Sequence, residues 1–428
     1  MNPLEPPITS NRFRNPLFWL RFLIIAAIFA LGLWYISEKK SVSLPQEAET
    51  TPTPNREALS QFPFAASPNG NGTTDIKPDE KTLASPKLKP EISGRTFYVS
   101  PQGNDEKDGL SEATPFATIQ KAVDLAEPGD GVMLLSGVYM QHFISKKNGA
   151  EEKPIVVRGT PEAVVKGSDK KSRVIEINHD YITLDSFTVD GHVGNSNKEK
   201  GYRDKLIYAQ GQDKKDGVTG LKIQRMVIQN AGGECVRIRY FAVKNEVAFN
   251  TIRRCGAYDF VLGGDGKNGE GIYVGTAPEQ RDDGNNPTED MDVSSGNWIH
   301  NNFLDTQGNE CVDLKEGTTG NIVEYNKCTG QLDNDSGGMG SRGNGNTFRF
   351  NEIYDNRGAG IRLGGDKKNQ GIENSVYGNI FRKNGEGGIK IMRKPQGKIC
   401  GNTFINNKEG DLSGEHTKGY NEAKRCPE

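Results

Sequence analysis

Down the C-terminal half of the chain one short phrase recurs, apolar-x-x-Asn-x-apolar. Its copies read Val247–Ile252, Trp298–Phe303, Val323–Cys328, Phe348–Ile353, Val376–Phe381 and Ile399–Phe404, with Asn250, Asn301, Asn326, Asn351, Asn379 and Asn402 in the polar place. Successive asparagines are 51, 25, 25, 28 and 23 residues apart, so the unit is one supersecondary turn, expanded once by an insertion. The unit is rich in Gly and β-branched residues and has no helical period. It is too short for an αα hairpin and fits three short strands separated by turns. Turns of this kind stack at strand spacing, ~4.8 Å, and align equivalent side chains in ladders. An inward Asn then pairs its amide with the Asn above and below, which satisfies polar groups that a bend leaves buried. Met226 in Ile223–Ile228 and Asp185 in Ile182–Phe187 continue the column upstream. The expected fold is all-β, a parallel β-helix.

After each Asn the chain turns into another strand, and these strands align. They are Glu234–Arg239, Glu270–Gly275, Glu310–Lys315, Gly337–Arg342, Ala359–Gly364 and Gly387–Met392. Val236/Ile238, Ile272/Val274, Val312/Leu314, Ile361/Leu363 and Ile389/Ile391 alternate inward, so the residues between them point out. One outward column is Arg237, Tyr273, Asp313, Gly340, Arg362 and Lys390, and beside it run Arg239, Gly275, Lys315, Arg342, Gly364 and Met392. A cationic groove in register over several coils suits an extended anionic chain such as a uronic-acid polysaccharide. Arg237, Arg239, Tyr273, Arg362 and Lys390 are its expected substrate-binding residues. The other reading is ordinary charge on a solvated sheet face.

A third column holds Glu234, Glu270 and Glu310, with Asn309 and Asp313 close by. Stacked carboxylates repel unless a positive group lies between them, and an oxygen-rich set of this kind suits Ca²⁺. In the alternative, Glu234 pairs locally with Arg237 or Arg239 and the others are ordinary turn residues. Removing the C5 proton of a uronic acid, with loss of the 4-linked sugar, needs a neutralised carboxylate and a base. Calcium supplies the first. A Lys or Arg among other cations, its pKa drawn down, supplies the second. Lys315 and Arg342 are the candidates.

The N-terminal part reads differently. Residues 1–15 are expected to be a cytoplasmic tail and 16–37 a transmembrane signal-anchor, built on the apolar run Phe22–Ile36. Arg12, Arg14 and Arg21 before or within the run favour an inside N-terminus, and Tyr35-Ile36-Ser37-Glu38-Lys39 offers no small-x-small cleavage site. A cleaved signal peptide is the rival. Residues 38–92, dense in Pro, Ser and Thr, are expected to be a disordered linker. The β-helix domain, 93–428, is then membrane-anchored and extracytoplasmic. It opens with the strand Arg95–Ser100 and a capping helix, Phe116–Ala126, that covers the end of the solenoid. Gly131–Tyr139, Ile155–Arg158 and Val174–Val189 supply the first coils.

The formal net charge of −2 provides no basic field and excludes nucleic acid as a partner. A monomer is expected. Six cysteines outside the cytoplasm permit disulfides. Cys235 and Cys311 share a column two coils apart, roughly 10 Å, too far to bridge. Cys400 with Cys426 is the favoured pair, and small buried hydrophobes are the alternative for the rest. The acidic insertion Thr276–Ser294 is expected to be solvated, the alternatives being a lid or added metal ligands. A second insertion is expected at Gly191–Gly217.

Phe97-Tyr-Val-Ser-Pro-Gln-Gly-Asn-Asp-Glu-Lys-Asp-Gly, Pro115-Phe-Ala-Thr-Ile-Gln-Lys-Ala and Pro128-Gly-Asp resemble the N-terminal entry of pectin-lyase-like right-handed β-helix proteins. Asn268-Gly-Glu-Gly-Ile-Tyr and Glu310-Cys-Val-Asp-Leu resemble the calcium-holding phrases of family 9 polysaccharide lyases, with Glu or Asn where that family has Asp. The resemblance covers roughly residues 95 to 405 and implies a pectate lyase-like, Ca²⁺-assisted β-elimination on an acidic polysaccharide, with Glu270, Glu310 and Asp313 as the expected metal ligands and Asn309 where the first Asp of the family's pair stands. Two other readings stand beside it. One is a glycoside hydrolase using Asp313 with Asp333 or Asp335, although His142, His179, His192, His300 and His416 all miss the outward columns. The other is a non-catalytic carbohydrate-binding or envelope surface protein.

Overall fold

The structure, a computed structural model, describes residues 91–168, 172–194, 196–264, 267–421 and 425–426. The expected cytoplasmic tail and signal-anchor and nearly all of the expected linker lie outside the described residues. Among the described residues no helix is long and apolar enough to cross a membrane.

Three parallel sheets build the chain into a β-helix, consistent with right-handed winding. One has 11 strands, running from Thr96–Val99 to Ile399–Cys400, and the other two have 10 each. Of these, one runs from Gly137–Tyr139 to Thr403–Ile405, and the other, the site sheet, from Phe143–Ile144 to Leu412–Ser413. Strands of two to six residues suffice because each coil borrows its pairing from the coils on either side. The inward side chains Val236, Ile238, Ile272, Val274, Val312 and Leu314 are fully buried along one continuous apolar core.

The Asn ladder is present with one correction: its second rung is Asn302, not Asn301. Asn250 Nδ2 donates to Asn302 Oδ1 (2.9 Å), and Asn302 Nδ2 to Asn326 Oδ1 (2.9 Å), before the run continues through Asn351 and Asn379 to Asn402. The phrase is therefore Ile299-x-x-Asn302-x-Leu304. Ile299 and Leu304 are 0% exposed, whereas Phe303 is 39% exposed, and a slip of one residue exchanges the two faces. Asn301 instead takes the left-handed bend (φ 54°) just before the ladder, as Phe249, Tyr325 and Phe350 do in their coils. Upstream the register places Phe187, not Asp185, in the column, since Leu184 pairs with Ile223. Asp185 is held by Arg158 (2.8 Å) and Arg225 (2.7 Å). A second ladder, Asn245–Asn297–Asn321–Asn346, runs parallel to the first.

The capping helix is shorter than expected, Ile119–Leu125, with Thr118 as N-cap, because Phe116 is still paired to Val99 in a strand-like bridge. The segment Gly191–Gly217 is not simply an insertion. It contains the site-sheet strand Lys205–Gln210, which pairs on both sides and adds Tyr208 to the outward column beside Arg237. The disulfide Cys400–Cys426 forms as expected, and Cys235–Cys255 and Cys311–Cys328 form as well, so these four cysteines are not merely small hydrophobes. Each of these two pairs joins the start of a site-sheet strand to a residue 20 or 17 positions further on. Cys235 and Cys311 themselves are two strands apart, with Gly271 between.

Candidate functional site

The outward column lies in the expected register. Arg237 pairs with Tyr273, Tyr273 with Asp313, Asp313 with Gly340, Gly340 with Arg362 and Arg362 with Lys390. Lys315 and Arg342 follow in the adjacent column, each bonded through its amide to the strand before. One sheet face thus gathers Tyr273, Asp313, Lys315, Arg342, Arg362 and Lys390.

That face is not a uniformly solvated wall. Tyr273 is 2% exposed and Asp313 1%, while the Arg342 side chain remains 30% exposed. The acidic loop Thr276–Ser294 covers the first part. Gln280 Oε1 accepts from Arg237 Nη2 (2.6 Å) and Tyr273 Oη (3.1 Å), and Asn286 Oδ1 accepts from Arg239 Nε (2.8 Å). Asp292 staples the base of the loop, accepting from the amides of Tyr240 and Phe241 and from the hydroxyls of Thr276 and Ser294. Simple solvation of the loop is thereby overturned. Composition marked its charge but could not show that Asp292 would be spent on backbone amides and Gln280 on an arginine. Arg237, Arg239 and Tyr273, read from the sequence as open to substrate, are held under the loop.

Glu234 leaves the acidic column. It pairs with Arg237 (2.5 Å) and Lys205 (3.0 Å). Burial pushes its pKa up, yet the two cations outweigh burial and hold it down at about 2. Glu270, Glu310 and Asp313 remain, each offering an oxygen within 4.8 Å of the others, all three buried. Burial first, opposed by Lys315 and reinforced by the neighbouring carboxylates, drives Glu270 up to about 8. Burial and then Asp313 drive Glu310 up to about 7. Asp313 goes the other way, because Lys315, 2.6 Å from its carboxylate, together with Arg342 overcomes burial.

The donor set fits a divalent cation. Glu310 Oε2 and Asn309 Oδ1 are buried without a hydrogen-bond partner, while Glu310 Oε1 accepts from Ser336 and Glu270 Oε2 from the Gly269 amide. Asn309 donates Nδ2 to the Lys267 carbonyl, which leaves its oxygen turned elsewhere. At Gly340 a Cβ would come within 3.1 Å of Asp313 Oδ1, so the missing side chain keeps the space above that carboxylate clear. Hard, oxygen-only ligation by carboxylates and an amide oxygen suits Ca²⁺.

Lys315 departs from its expected environment. Burial lowers its pKa, but Asp313, Tyr273, Glu270 and Glu310 raise it well above the usual value, so its neighbours are anions and a phenol rather than cations. Its ammonium lies 4.5 Å from the centre of the Tyr273 ring, and the Arg237 guanidinium lies 4.0 Å from the same centre. Arg342 is spread between Glu316 (3.6 Å) and exposed Asp366 (3.2 Å). Arg362 donates to the Gly364 carbonyl, and Lys390 stands 3.7 Å from Glu386. Asp333 and Asp335, the hydrolytic alternatives, are both paired to Lys267 (3.2 and 2.9 Å). The open cavity of about 570 Å³ on the acidic loop, lined by Arg281, Asp282, Asn286 and Thr288, does not coincide with the carboxylate cluster. The convergence of buried titratable groups, not cavity size, marks the site.

No family model matches the chain. Over 72 residues it is 39% identical to an uncharacterised protein, YwoF, of Bacillus subtilis (strain 168), a stretch that covers 17% of this chain and 15% of that protein. Among solved structures it is similar to an alginate lyase from Paenibacillus sp. strain FPU-7, with a TM-score of 0.54 and 18% identity, covering 74% of this chain and 99% of the other. It is also similar to pectate lyase Pel9A, with a TM-score of 0.50 and 15% identity, covering 74% and 78%. At such identities the likeness is one of fold: a parallel β-helix that known polysaccharide lyases also use.

Proposed function

We propose that this chain is a polysaccharide lyase of the pectate lyase kind, most similar to family 9, tethered to the membrane with its β-helix outside the cytoplasm, and acting on a uronic-acid polymer. The observation that supports this reading best is the in-register column Asp313–Gly340–Arg362–Lys390, flanked by Arg342 and opening beside three buried carboxylates. Glu270, Glu310 and Asp313, with Asn309 alongside, would hold Ca²⁺, which when bound neutralises a uronate carboxylate and so acidifies the C5 proton.

Arg342, Arg362 and Lys390 bind the carboxylates of successive sugars and fix their register against the coils. Gly340 leaves room for a sugar ring to approach Asp313. Lys315 and Arg342 remain the groups placed to take the C5 proton. Both are held protonated by neighbouring carboxylates, Lys315 by Asp313 at 2.6 Å and Arg342 by Asp313 and Glu316, so that role requires those anions to be neutralised first, as a cation held by Glu270, Glu310 and Asp313 would do. The leaving 4-oxygen then needs a proton from a group on the same wall, and the Lys315 ammonium is within the same cluster.

The test is incubation of the protein with alginate and with polygalacturonate, with and without chelator, following the ultraviolet absorbance of the unsaturated product. Absorbance that grows with calcium and stops with chelator supports the reading. Tight binding of either polymer without product would favour the non-catalytic, surface-binding reading.

A further inference from the structure

We propose that the Thr276–Ser294 loop makes the groove one-ended, so that the protein engages the terminus of an acidic chain rather than its interior. The inference rests on the groove assigned under the proposed function and adds which part of the polymer that groove takes.

The loop lies across the N-terminal half of the outward column. Its reach is set by three tip contacts: Gln280 on Arg237, Asn286 on Arg239, and Asn285, whose carbonyl accepts from Gln210 and whose side-chain oxygen accepts from Arg173 (3.4 Å). Those partners belong to three successive site-sheet strands, Arg173–Ile177, Lys205–Gln210 and Val236–Arg239. Asp283 approaches Arg239 at 3.6 Å, so the loop sets a carboxylate and two amide oxygens on cations that a bound uronate would otherwise meet. At its base, Asp292 accepts from the amides of Tyr240 and Phe241 in the coil and from the hydroxyls of Thr276 and Ser294 at the loop's own two ends.

Among the described residues, the loop's hydrogen bonds to the site sheet reach no further along the column than Tyr273. From Asp313 to Lys390 the column advances three coil steps, about 14 Å at ~4.8 Å each, which accommodates about three sugar rings. The carboxylate cluster sits at the closed end of that stretch. A polymer laid along it would run out past Lys390 and stop against Tyr273 and Gln280, with its terminal linkage over Asp313. A groove walled at one end selects chain ends, because an internal segment has no way to continue through the wall.

The experiment uses the full chain, alginate and polygalacturonate as polymers, and their purified trimers and hexamers as binding probes, with calcium present. For the native protein the prediction is short products from the first time points, slow loss of viscosity, and affinities for trimer and hexamer within roughly threefold of each other. The variant Gln280→Ala/Asp283→Ala/Asn285→Ala/Asn286→Ala removes the side-chain contacts of the tip while keeping the Asp292 staple. It should bind hexamer at least about tenfold more tightly than trimer and lower viscosity early. Unsaturated product accompanied by an immediate fall in viscosity in the native protein overturns this inference and leaves the lyase reading standing. Absence of both binding and product with either polymer overturns the lyase reading, and this inference with it.

Discussion

At the residue scale the fold depends on amide side chains placed where backbone groups would otherwise be stranded. Asn326 is fully enclosed, donates to the Ile299 carbonyl (2.9 Å) and Asn351 (3.1 Å), and accepts from the amide of Asn302 (3.0 Å). Replacing it by Ala leaves at least two buried backbone groups unpaired, and chemical denaturation should show a loss of about 2–4 kcal/mol. Glu234 makes a second prediction. Its folded pKa lies near 2, below the usual 4.5, so its contribution is present above pH 4.5 and disappears as pH falls from there toward 2. The loss is of order 1–3 kcal/mol, and Glu234→Gln should flatten that part of the acid-unfolding curve. The Asn repeat was legible in the sequence because amides recur at one spacing. The error at Asn301 came from the tandem His300-Asn301-Asn302, where Trp298 and Phe303 offer an apolar frame as convincing as Ile299 and Leu304. Only burial distinguishes the two.

Among the elements, the site-sheet strands were readable and the connections were not. Alternation within Glu310–Lys315 and Ala359–Gly364 placed Asp313 and Arg362 correctly, since period-two alternation is a local property. The strand Lys205–Gln210 hid inside a long polar stretch, its identity set by pairing with its neighbours. Disulfide partners do not share a column, Cys328 lying in Lys327–Thr329 and Cys311 just before Val312–Leu314, so reasoning along a single column saw only Cys235 against Cys311. The Cys311–Cys328 bridge closes a loop next to Glu310. Converting both to Ser should cost about 2–4 kcal/mol in thermal or denaturant unfolding. If the bridge also holds Glu310 in place, calcium affinity should fall in the same variant.

For the whole molecule, a solenoid distributes its stability along the stack, while the acidic cluster concentrates unfavourable charge at one level of it. Glu270 and Glu310 have raised pKa values, so in the cation-free protein they favour folding at low pH, and that contribution is lost as pH rises through about 7 and 8. Calcium should therefore raise the melting temperature more at pH 8 than at pH 5, where protons compete for the same oxygens. At a hundredfold excess over its dissociation constant the stabilisation is about 2.7 kcal/mol. The groove itself was visible in sequence as charge in register. That half of it would be closed was not, since the closure depends on where a loop of 19 positions, Thr276–Ser294, folds back. The most direct measurement of the central claim is a calorimetric titration of calcium into the native protein and into Glu310→Gln and Asp313→Asn. One saturable site that vanishes or weakens by at least about tenfold in both variants is the predicted result. Absence of calcium binding in the native protein, or unchanged binding in both variants, would contradict the account.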